Sequence, residues 1–333
     1  MKHFKAKIGP NAAELAAYIQ DDSSELGNAV IRPAMLVLPG GGYSMCSDRE
    51  AEPIALAYLG EGYNTFVLRY SVGPDATFEQ ALADAECAVE NIRENAGEWR
   101  IDPNRVAAVG FSAGGHLAAA LGTLGRVRPN ALLLGYAVTL ETTLSNSKTF
   151  PGLNTRVNQN TPPAFIFATR KDSLVPPKNS LAFAAALDEA GVNYEIHIFQ
   201  EGAHGLSLSK PLTANGSKSS VDPRFAQWFP LSLDWLKTLW GDFPLGEEYL
   251  NKLVELNQNL GLLHKPIGLL KRDKAIWEII TREIPQLQDL SSHYEAVSLM
   301  SLERLSTVAA AVVSESAINR IMLAVQVVQQ KEV

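Results

Sequence analysis

The segment Gly110-Phe111-Ser112-Ala113-Gly114 has the spacing G-x-S-x-G, and its flanks suit a serine nucleophile. Residues 105–109 before it include valine and alanine and predict a strand, whereas residues 115–121 favour a helix. A strand that turns sharply into a helix places a serine hydroxyl at the tip of a strained turn, where small neighbours prevent steric clashes. We therefore predict that Ser112 is a nucleophile. The alternative is a glycine-rich strand–helix turn without chemistry.

The base for such a serine is expected from a histidine that follows the end of a strand. A serine hydroxyl is a poor nucleophile at neutral pH, so it needs a base and an acid that orients the base. Among the six histidines, His204 lies in the Gly-Ala-His-Gly segment 202–205, just after the predicted strand 194–199. His116 lies on the helix that follows Ser112 and points away at that spacing. We predict His204 as the base.

The orienting acid is expected at the same edge of the predicted sheet. Asp172 follows the predicted strand 164–168, so its carboxylate emerges at the strand ends where Ser112 and His204 also lie. An aspartate followed by serine is also common in turns, where it caps the next residues of the loop. We predict Asp172 as the acid, with Asp188 and Asp222 as weaker candidates.

Three consecutive glycines, 40–42, follow the predicted buried strand 34–38 and can supply an oxyanion hole. Their N–H groups are unobstructed, and we expect donors from Gly41 or Gly42 and from Ala113. A tight turn without a ligand is the alternative. A dinucleotide-binding loop is disfavoured because the glycines lack the G-x-G-x-x-G spacing at the start of a helix. Three aromatic residues beside these segments are expected to line the substrate pocket: Tyr43, Phe111 and Tyr136.

The elements that must position these residues alternate between strand-like and helix-like segments over residues 30–240, which is typical of a mostly parallel sheet covered by helices. Further strands are expected at 64–70 and 131–136, and helices at 78–94, 181–190 and 225–239. Two polar segments interrupt this alternation: 141–163, a candidate cap or lid, and 207–222, a candidate mobile surface loop.

The pattern changes after Pro244, where strand signals become rare and short amphipathic helices are predicted. This change predicts two domains, 1–244 and 245–333. The helices of the second domain are expected at 247–256, 275–284, 301–311 and 316–329.

Composition narrows the range of partners. The chain has 333 residues and a formal net charge of −7, which argues against nucleic acid because phosphate binding needs a basic face. Cys46 and Cys87 are the two cysteines. The sequence does not decide whether they form a disulfide, but two cysteines do not indicate a fold held together by disulfides. No apolar segment follows the charged N-terminal residues, and no uncharged stretch is long enough to span a bilayer. We expect a cytoplasmic protein without a membrane partner.

Several motifs in order resemble those of bacterial α/β-hydrolase esterases related to acetyl xylan esterases. They are 38–43, 47–53, 62–70, 110–117, 172–180 and 202–205. The resemblance spans about residues 30–240 and implies an α/β-hydrolase fold and a serine carboxylesterase that acts on short acyl esters. It implies acetylated xylan fragments or other acetylated sugars as substrates, and no metal or organic cofactor is required. Pro39 stands where many related lipases carry the histidine of H-G-G-G, which is the form of this subgroup.

Residues after the boundary carry a second resemblance, to a small helical module at the C-termini of some bacterial glycoside hydrolases. The matching segments are 265–270, 275–285 and 298–305. The resemblance transfers no catalytic residue. The apolar stripes of this all-α module favour a hydrophobic core or a dimer face over a ligand site, which leaves a homo-oligomer open.

Two other functions compete with the esterase prediction. A peptidase of the dipeptidyl-peptidase type could use the same three residues, but no N-terminal propeller-like domain is indicated. A non-catalytic binding module with the same fold, assembled through its helical tail, is disfavoured because Ser112, Asp172 and His204 are all present.

Overall fold

The computed structural model describes residues 1–143, 149–255, 260–288 and 294–329. It divides into two compact units, Met1–Asp242 and Phe243–Val333. This division falls close to the change in sequence pattern at Pro244. Among the described residues, no helix is both long and apolar enough to cross a membrane.

The described part of the first unit contains ten strands. They are β1 (Lys2–Ile8), β2 (Ala13–Ile19), β3 (Arg32–Leu38), β4 (Asn64–Arg69), β5 (Ile101–Phe111), β6 (Ala131–Gly135), β7 (Thr142–Thr143), β8 (Thr149–Phe150), β9 (Ala164–Thr169) and β10 (Tyr194–Phe199). Eight of them form one sheet in the order β1-β2-β4-β3-β5-β6-β9-β10, and β7 pairs with β8. The pairs β1–β2 and β2–β4 are antiparallel, and the others in the large sheet are parallel.

Helices cover both faces of this sheet. In the described residues of the first unit they are α1 (Glu52–Gly60), α2 (Phe78–Glu94), α3 (Ala96–Trp99), α4 (Ala113–Thr123), α5 (Lys178–Glu189) and α6 (Trp228–Trp240). Side chains of α2, α4 and α5 pack in one apolar cluster, and those of α1 and α6 in another. Alternate residues of β3 enter the two clusters, so both faces of the strand are buried.

The second unit is all α-helical in its described residues. Its helices are α7 (Gly246–Glu255), α8 (Ile267–Leu270), α9 (Lys274–Glu283), α10 (Tyr294–Ser298), α11 (Leu302–Val308) and α12 (Glu315–Gln329). Buried isoleucine, leucine and valine side chains from α8, α9, α11, α12 and the segments between them form a core of their own. The apolar stripes that the sequence shows therefore serve, at least in part, as a hydrophobic core.

The two polar segments contain short regular elements and some buried side chains. Residues 144–148 of the predicted lid lie outside the described residues, while its described parts include β7, β8 and a 3₁₀ turn at Asn154–Arg156. The segment 207–222 is exposed at residues 210–212 and 215–219, in agreement with a surface loop, and hydrogen bonds join it to Arg49 at two points. Its buried side chains at Ser207, Ser209 and Thr213 each donate a hydrogen bond to a backbone carbonyl group, which satisfies their hydroxyl groups away from water.

Candidate active site

Ser112 occupies a strained turn between β5 and α4. Its φ and ψ angles are 53° and −115°, a conformation that is costly for a residue with a side chain. The backbone is tightly packed here: a Cβ atom at Gly110 would lie 2.1 Å from the Gly114 carbonyl oxygen, and one at Gly114 would lie 2.0 Å from the Leu38 carbonyl oxygen. Only glycine fits at either position, so the G-x-S-x-G spacing is a steric requirement of this turn.

The structure brings Ser112, His204 and Asp172 together. His204 Nε2 lies 2.8 Å from Ser112 Oγ, and His204 Nδ1 lies 2.6 Å from Asp172 Oδ2. The three residues follow β5, β10 and β9, whose carboxyl ends meet at one edge of the parallel sheet. The Asp172 carboxylate can only accept a hydrogen bond, so it favours the imidazole tautomer that carries its proton on Nδ1. In that tautomer Nε2 is free to accept the serine proton.

Asp172 is itself held firmly. Its Oδ1 atom accepts hydrogen bonds from the N–H groups of Leu174 and Val175 at 2.9 and 2.8 Å, and its side chain is almost fully buried. The other candidate acids lie elsewhere. Asp222 caps its own turn through the N–H groups of Arg224 and Phe225, and Asp188 is exposed on α5. One carboxylate therefore both caps a turn and faces the imidazole.

The glycine segment 40–42 lies directly beside Ser112. A Cβ atom at Gly40 would be 3.2 Å from the Ser112 Cβ atom, and Gly41 and Gly42 have positive φ angles of 130° and 62°. Within the described parts of the chain, no acceptor binds the Gly41 or Gly42 N–H group. Ala113 is the first residue of α4, so its N–H group has no acceptor within the helix. These donors are available for an oxyanion next to Ser112.

The three aromatic residues expected to line the pocket are all mostly buried. Tyr136 contacts the candidate base, with its ring centroid 5.0 Å from that of His204. Tyr43 stacks on Phe150 at 4.4 Å, and its hydroxyl group hydrogen-bonds to His116. Phe111 is fully buried and packs against Trp228. The structure therefore places its side chain in the hydrophobic core and not, as was expected, on the surface of a pocket. The reason is the alternation of side chains along β5, which places Phe111 in the same cluster as Ala107 and Val109.

Glu50 is a buried carboxylate that the sequence analysis did not single out. Its Oε2 atom accepts from the Gly40 N–H group at 2.9 Å, and its Oε1 atom accepts from the Tyr136 hydroxyl group at 2.5 Å. Burial raises the pKa of this carboxyl group, although both hydrogen bonds oppose that shift. Glu50 occurs in the motif 47–53, but nothing in that spacing indicates that the side chain turns inward.

His116 is a second buried titratable group near the glycine segment. Its Nε2 atom lies 3.1 Å from the Pro151 carbonyl oxygen, which can only accept, so Nε2 carries the proton. Nδ1 then accepts from the Tyr43 hydroxyl group at 2.7 Å. Burial lowers the pKa of His116 from 6.5 to about 4. The neutral imidazole thus joins α4 to the segment that follows the three glycines.

This shift predicts a pH-dependent stability. Below pH 6.5 the unfolded chain takes up a proton at His116 that the folded chain does not bind until the pH is about 4. The free energy of unfolding should therefore fall by on the order of 3 kcal/mol as the pH drops through that window. His116→Gln keeps one acceptor and one donor but does not titrate, so its stability should fall less. Urea unfolding at several pH values measures the difference.

The exposed His3→Gln variant is the control for loss of a histidine, and its pH dependence should match that of the wild type. An equal fall in stability for the wild type and His116→Gln would contradict the assignment.

Comparison with protein families gives two matches in the first unit. A family model described as BD-FAE matches residues 26–153, which include Ser112 and the glycine segment. A model of the Prolyl oligopeptidase family matches residues 136–219, which include Asp172 and His204. The two models together span the residues that the structure brings together.

Individual proteins resemble much of this chain. The solved structure of MGS-M1, an alpha/beta hydrolase enzyme from a Medee basin deep-sea metagenome library, is 45% identical with a TM-score of 0.68, and the match covers 72% of this chain and 97% of that one. Endo-1,4-beta-xylanase B of Butyrivibrio fibrisolvens is 35% identical over 62% of this chain and 36% of its own length. An acetylxylan esterase of Xylanibacter ruminicola is 29% identical over 59% of this chain and 44% of its own length. The matched region thus spans less than half of each of these two curated relatives.

Proposed function

Because this chain belongs to the α/β-hydrolase family of enzymes, we propose that it is a serine carboxylesterase that removes short acyl groups, acetyl above all, from sugar esters. The single observation that carries the proposal is the hydrogen-bonded series from Ser112 through His204 to Asp172 at a strained strand–helix turn. That arrangement supports nucleophilic attack by the serine on an acyl carbonyl group.

The proposed reaction has two steps that share one intermediate. In the first step, His204 Nε2 takes the proton from Ser112 Oγ as this oxygen attacks the acyl carbonyl carbon. The N–H groups of Gly41 or Gly42 and of Ala113 stabilise the oxyanion, and the alcohol leaves with the proton held by His204. In the second step, His204 deprotonates a water molecule as its oxygen attacks the acyl carbon; the bond from that carbon to Ser112 Oγ then breaks, Oγ takes the proton back from His204, and the carboxylic acid leaves. Asp172 stays ionised and orients the imidazole throughout.

The substrate proposal depends on the relatives. One curated relative is named an acetylxylan esterase and another an endo-1,4-beta-xylanase, and both names point to xylan. We therefore propose acetylated xylo-oligosaccharides or other acetylated sugars as substrates. The net charge of −7 agrees with a neutral ester substrate and not with nucleic acid.

Acetate release tests this substrate class. Purified protein is expected to release acetate from p-nitrophenyl acetate and from acetylated xylo-oligosaccharides, and to act more slowly on longer acyl chains. Ser112→Ala, assayed beside it, should release acetate from neither. Hydrolysis of the nitrophenyl ester without release of acetate from any sugar ester would leave the proposed chemistry intact and remove the carbohydrate substrates.

A peptidase of the dipeptidyl-peptidase type is the second candidate, because the Prolyl oligopeptidase family model matches residues 136–219. The same three residues would then attack an amide. Rates on a dipeptidyl p-nitroanilide and on p-nitrophenyl acetate separate the two candidates. A higher kcat/KM for the anilide would favour the peptidase.

Location and assembly are the remaining parts of the proposal. Cys46 and Cys87 are both free thiols in the structure, which supports a cytoplasmic location because the cytosol keeps thiols reduced. The second unit buries much of its apolar surface internally. Leu245, Leu323 and Val327 of the same unit remain exposed and offer apolar surface for a homo-oligomer, and sedimentation of the purified protein measures the oligomeric state.

A further inference from the structure

Glu50 is a buried carboxylate beside the candidate active site, and it has no role in the reaction proposed above. It lies in the 3₁₀ turn Asp48–Glu50, between the glycine segment 40–42 and α1, and its side chain is almost fully buried. No cation within the described residues forms an ion pair with it. Burying a carboxylate without a cationic partner costs folding free energy, so the hydrogen bonds to Glu50 must compensate for that loss.

One oxygen of Glu50 contacts the backbone that adjoins the nucleophile. Oε2 accepts from the Gly40 N–H group at 2.9 Å. A Cβ atom at Gly40 would lie 2.5 Å from that oxygen, 2.8 Å from the Phe111 carbonyl oxygen and 3.2 Å from the Ser112 Cβ atom. Glu50 therefore holds the first residue of the glycine segment against the turn that carries Ser112.

The other oxygen of Glu50 connects to the residues around the candidate base. Oε1 accepts from the Tyr136 hydroxyl group, whose ring lies edge-on to His204 at 5.0 Å. The same hydroxyl oxygen accepts from the Ser207 N–H group at 3.0 Å, three residues after His204. Ser207 Oγ in turn donates to the carbonyl oxygen of Arg49, the neighbour of Glu50. The carboxylate and the segment that carries His204 are thus joined through Tyr136 and through Arg49.

From these contacts we propose that Glu50 is a positioning residue that fixes the oxyanion-hole glycines and the His204 segment relative to Ser112; this inference rests on the proposed esterase function. The geometry explains why both oxygens are needed. The Gly40 N–H group and the Tyr136 hydroxyl group are both donors to Glu50, and each occupies a different carboxylate oxygen. Moving either donor displaces the backbone that stabilises the oxyanion or the ring that contacts the base.

Glu50→Gln tests the proposal with little change in shape. Glutamine has one acceptor oxygen for two donors, so either the Gly40 N–H group or the Tyr136 O–H group loses its acceptor and faces the amide NH₂ group instead. We expect kcat for p-nitrophenyl acetate to fall by about tenfold or more, though less than the roughly 10²–10³-fold effect of removing an oxyanion-hole donor itself. KM should be unchanged. Affinity for a trifluoromethyl ketone, which forms a tetrahedral adduct with the serine, should fall in parallel with kcat.

A double variant distinguishes positioning from general destabilisation. Tyr136→Phe removes one of the two donors, so in Glu50→Gln/Tyr136→Phe the amide oxygen can serve Gly40 alone. The double variant should therefore lose less activity than the product of the two single losses. Multiplicative losses would contradict a shared role for the two residues.

Glu86→Gln is the matched control. Glu86 is also buried and also accepts a backbone N–H, that of Arg126 at 2.6 Å; it differs in pairing with the Arg126 guanidinium group, lies on α2 and has no contact with Ser112, Asp172 or His204. Its substitution should lower the melting temperature and leave kcat unchanged. A fall in kcat for Glu86→Gln equal to that for Glu50→Gln would overturn the proposal.

The outcomes separate this inference from the esterase proposal. An active wild type, an inactive Ser112→Ala and a Glu50→Gln variant with wild-type kcat would overturn the role of Glu50 alone. A folded wild type without esterase activity would overturn both. Loss of kcat in Glu50→Gln, with unchanged KM and a double variant that loses less than the product of the single losses, supports the positioning role.

Discussion

Replacing Ser112 by alanine is expected to lower kcat/KM for p-nitrophenyl acetate by about 10⁴- to 10⁶-fold. The loss is large because alanine cannot form the acyl intermediate, and His204 then has no hydroxyl group to deprotonate. Circular dichroism and the melting temperature should change little, since the serine side chain is at the tip of the turn and leaves no cavity in the core. Initial rates at several ester concentrations measure the effect.

The matched control is Ser219→Ala, at an exposed position in the segment 207–222. It should keep wild-type kinetics. Residual activity in Ser112→Ala equal to that of Ser219→Ala would contradict the role of Ser112.

Replacing Asp172 by asparagine has the second-largest expected effect, a fall in kcat of about 10³- to 10⁴-fold. Asparagine keeps the oxygen that accepts from Leu174 and Val175, so the turn should still form. Its amide group lacks the charge that stabilises the imidazolium, and an NH₂ group at Nδ1 favours the wrong tautomer of His204. Stopped-flow or steady-state ester hydrolysis measures the loss, and thermal unfolding checks the fold.

Asp222→Asn is a close match for that variant. Asp222 also accepts from the N–H groups two and three residues later, at 2.8 Å each, but has no contact with His204. If both aspartates only cap turns, the two variants will lose equal activity. A selective loss in Asp172→Asn is the result that the proposed mechanism requires.

Regular elements with strong periodicity were predictable from the sequence. The helix expected at 78–94 is α2, and the strand expected at 194–199 is β10, with the same bounds. For α2 the apolar positions repeat at helical spacing, and Thr77 and Gln80 form a capping box at its start. The helix expected at 225–239 instead begins as a 3₁₀ turn at Phe225–Gln227, before α6.

The two N-terminal strands were not predicted, because their residue types are weak strand formers. β1 alternates lysine with partly buried residues, and β2 is rich in alanine, a weak strand former. β2 joins the sheet through β4, which is distant in sequence, and β1 joins it only through β2. Local periodicity carries little information about such contacts.

Some residues of the candidate site could likewise be predicted from local sequence patterns, and others could not. Ser112, Asp172 and His204 could be proposed because each follows a recognisable strand, and parallel strands end at one edge. Glu50 could not, because its importance comes from tertiary contacts with Gly40 and Tyr136 that no local pattern encodes. Phe111 shows the opposite case: the alternation along β5 already indicates that its side chain faces the core.

The central claim is that Ser112 carries the acyl group, and covalent labelling tests it most directly. A fluorophosphonate reacts with activated serines and stays attached, so intact-mass and peptide mass spectrometry can locate it. The account predicts one adduct per chain, on the peptide that contains Ser112, in step with loss of esterase activity and absent from Ser112→Ala. Complete inhibition with Ser112 unmodified, or an adduct on another residue, would contradict it.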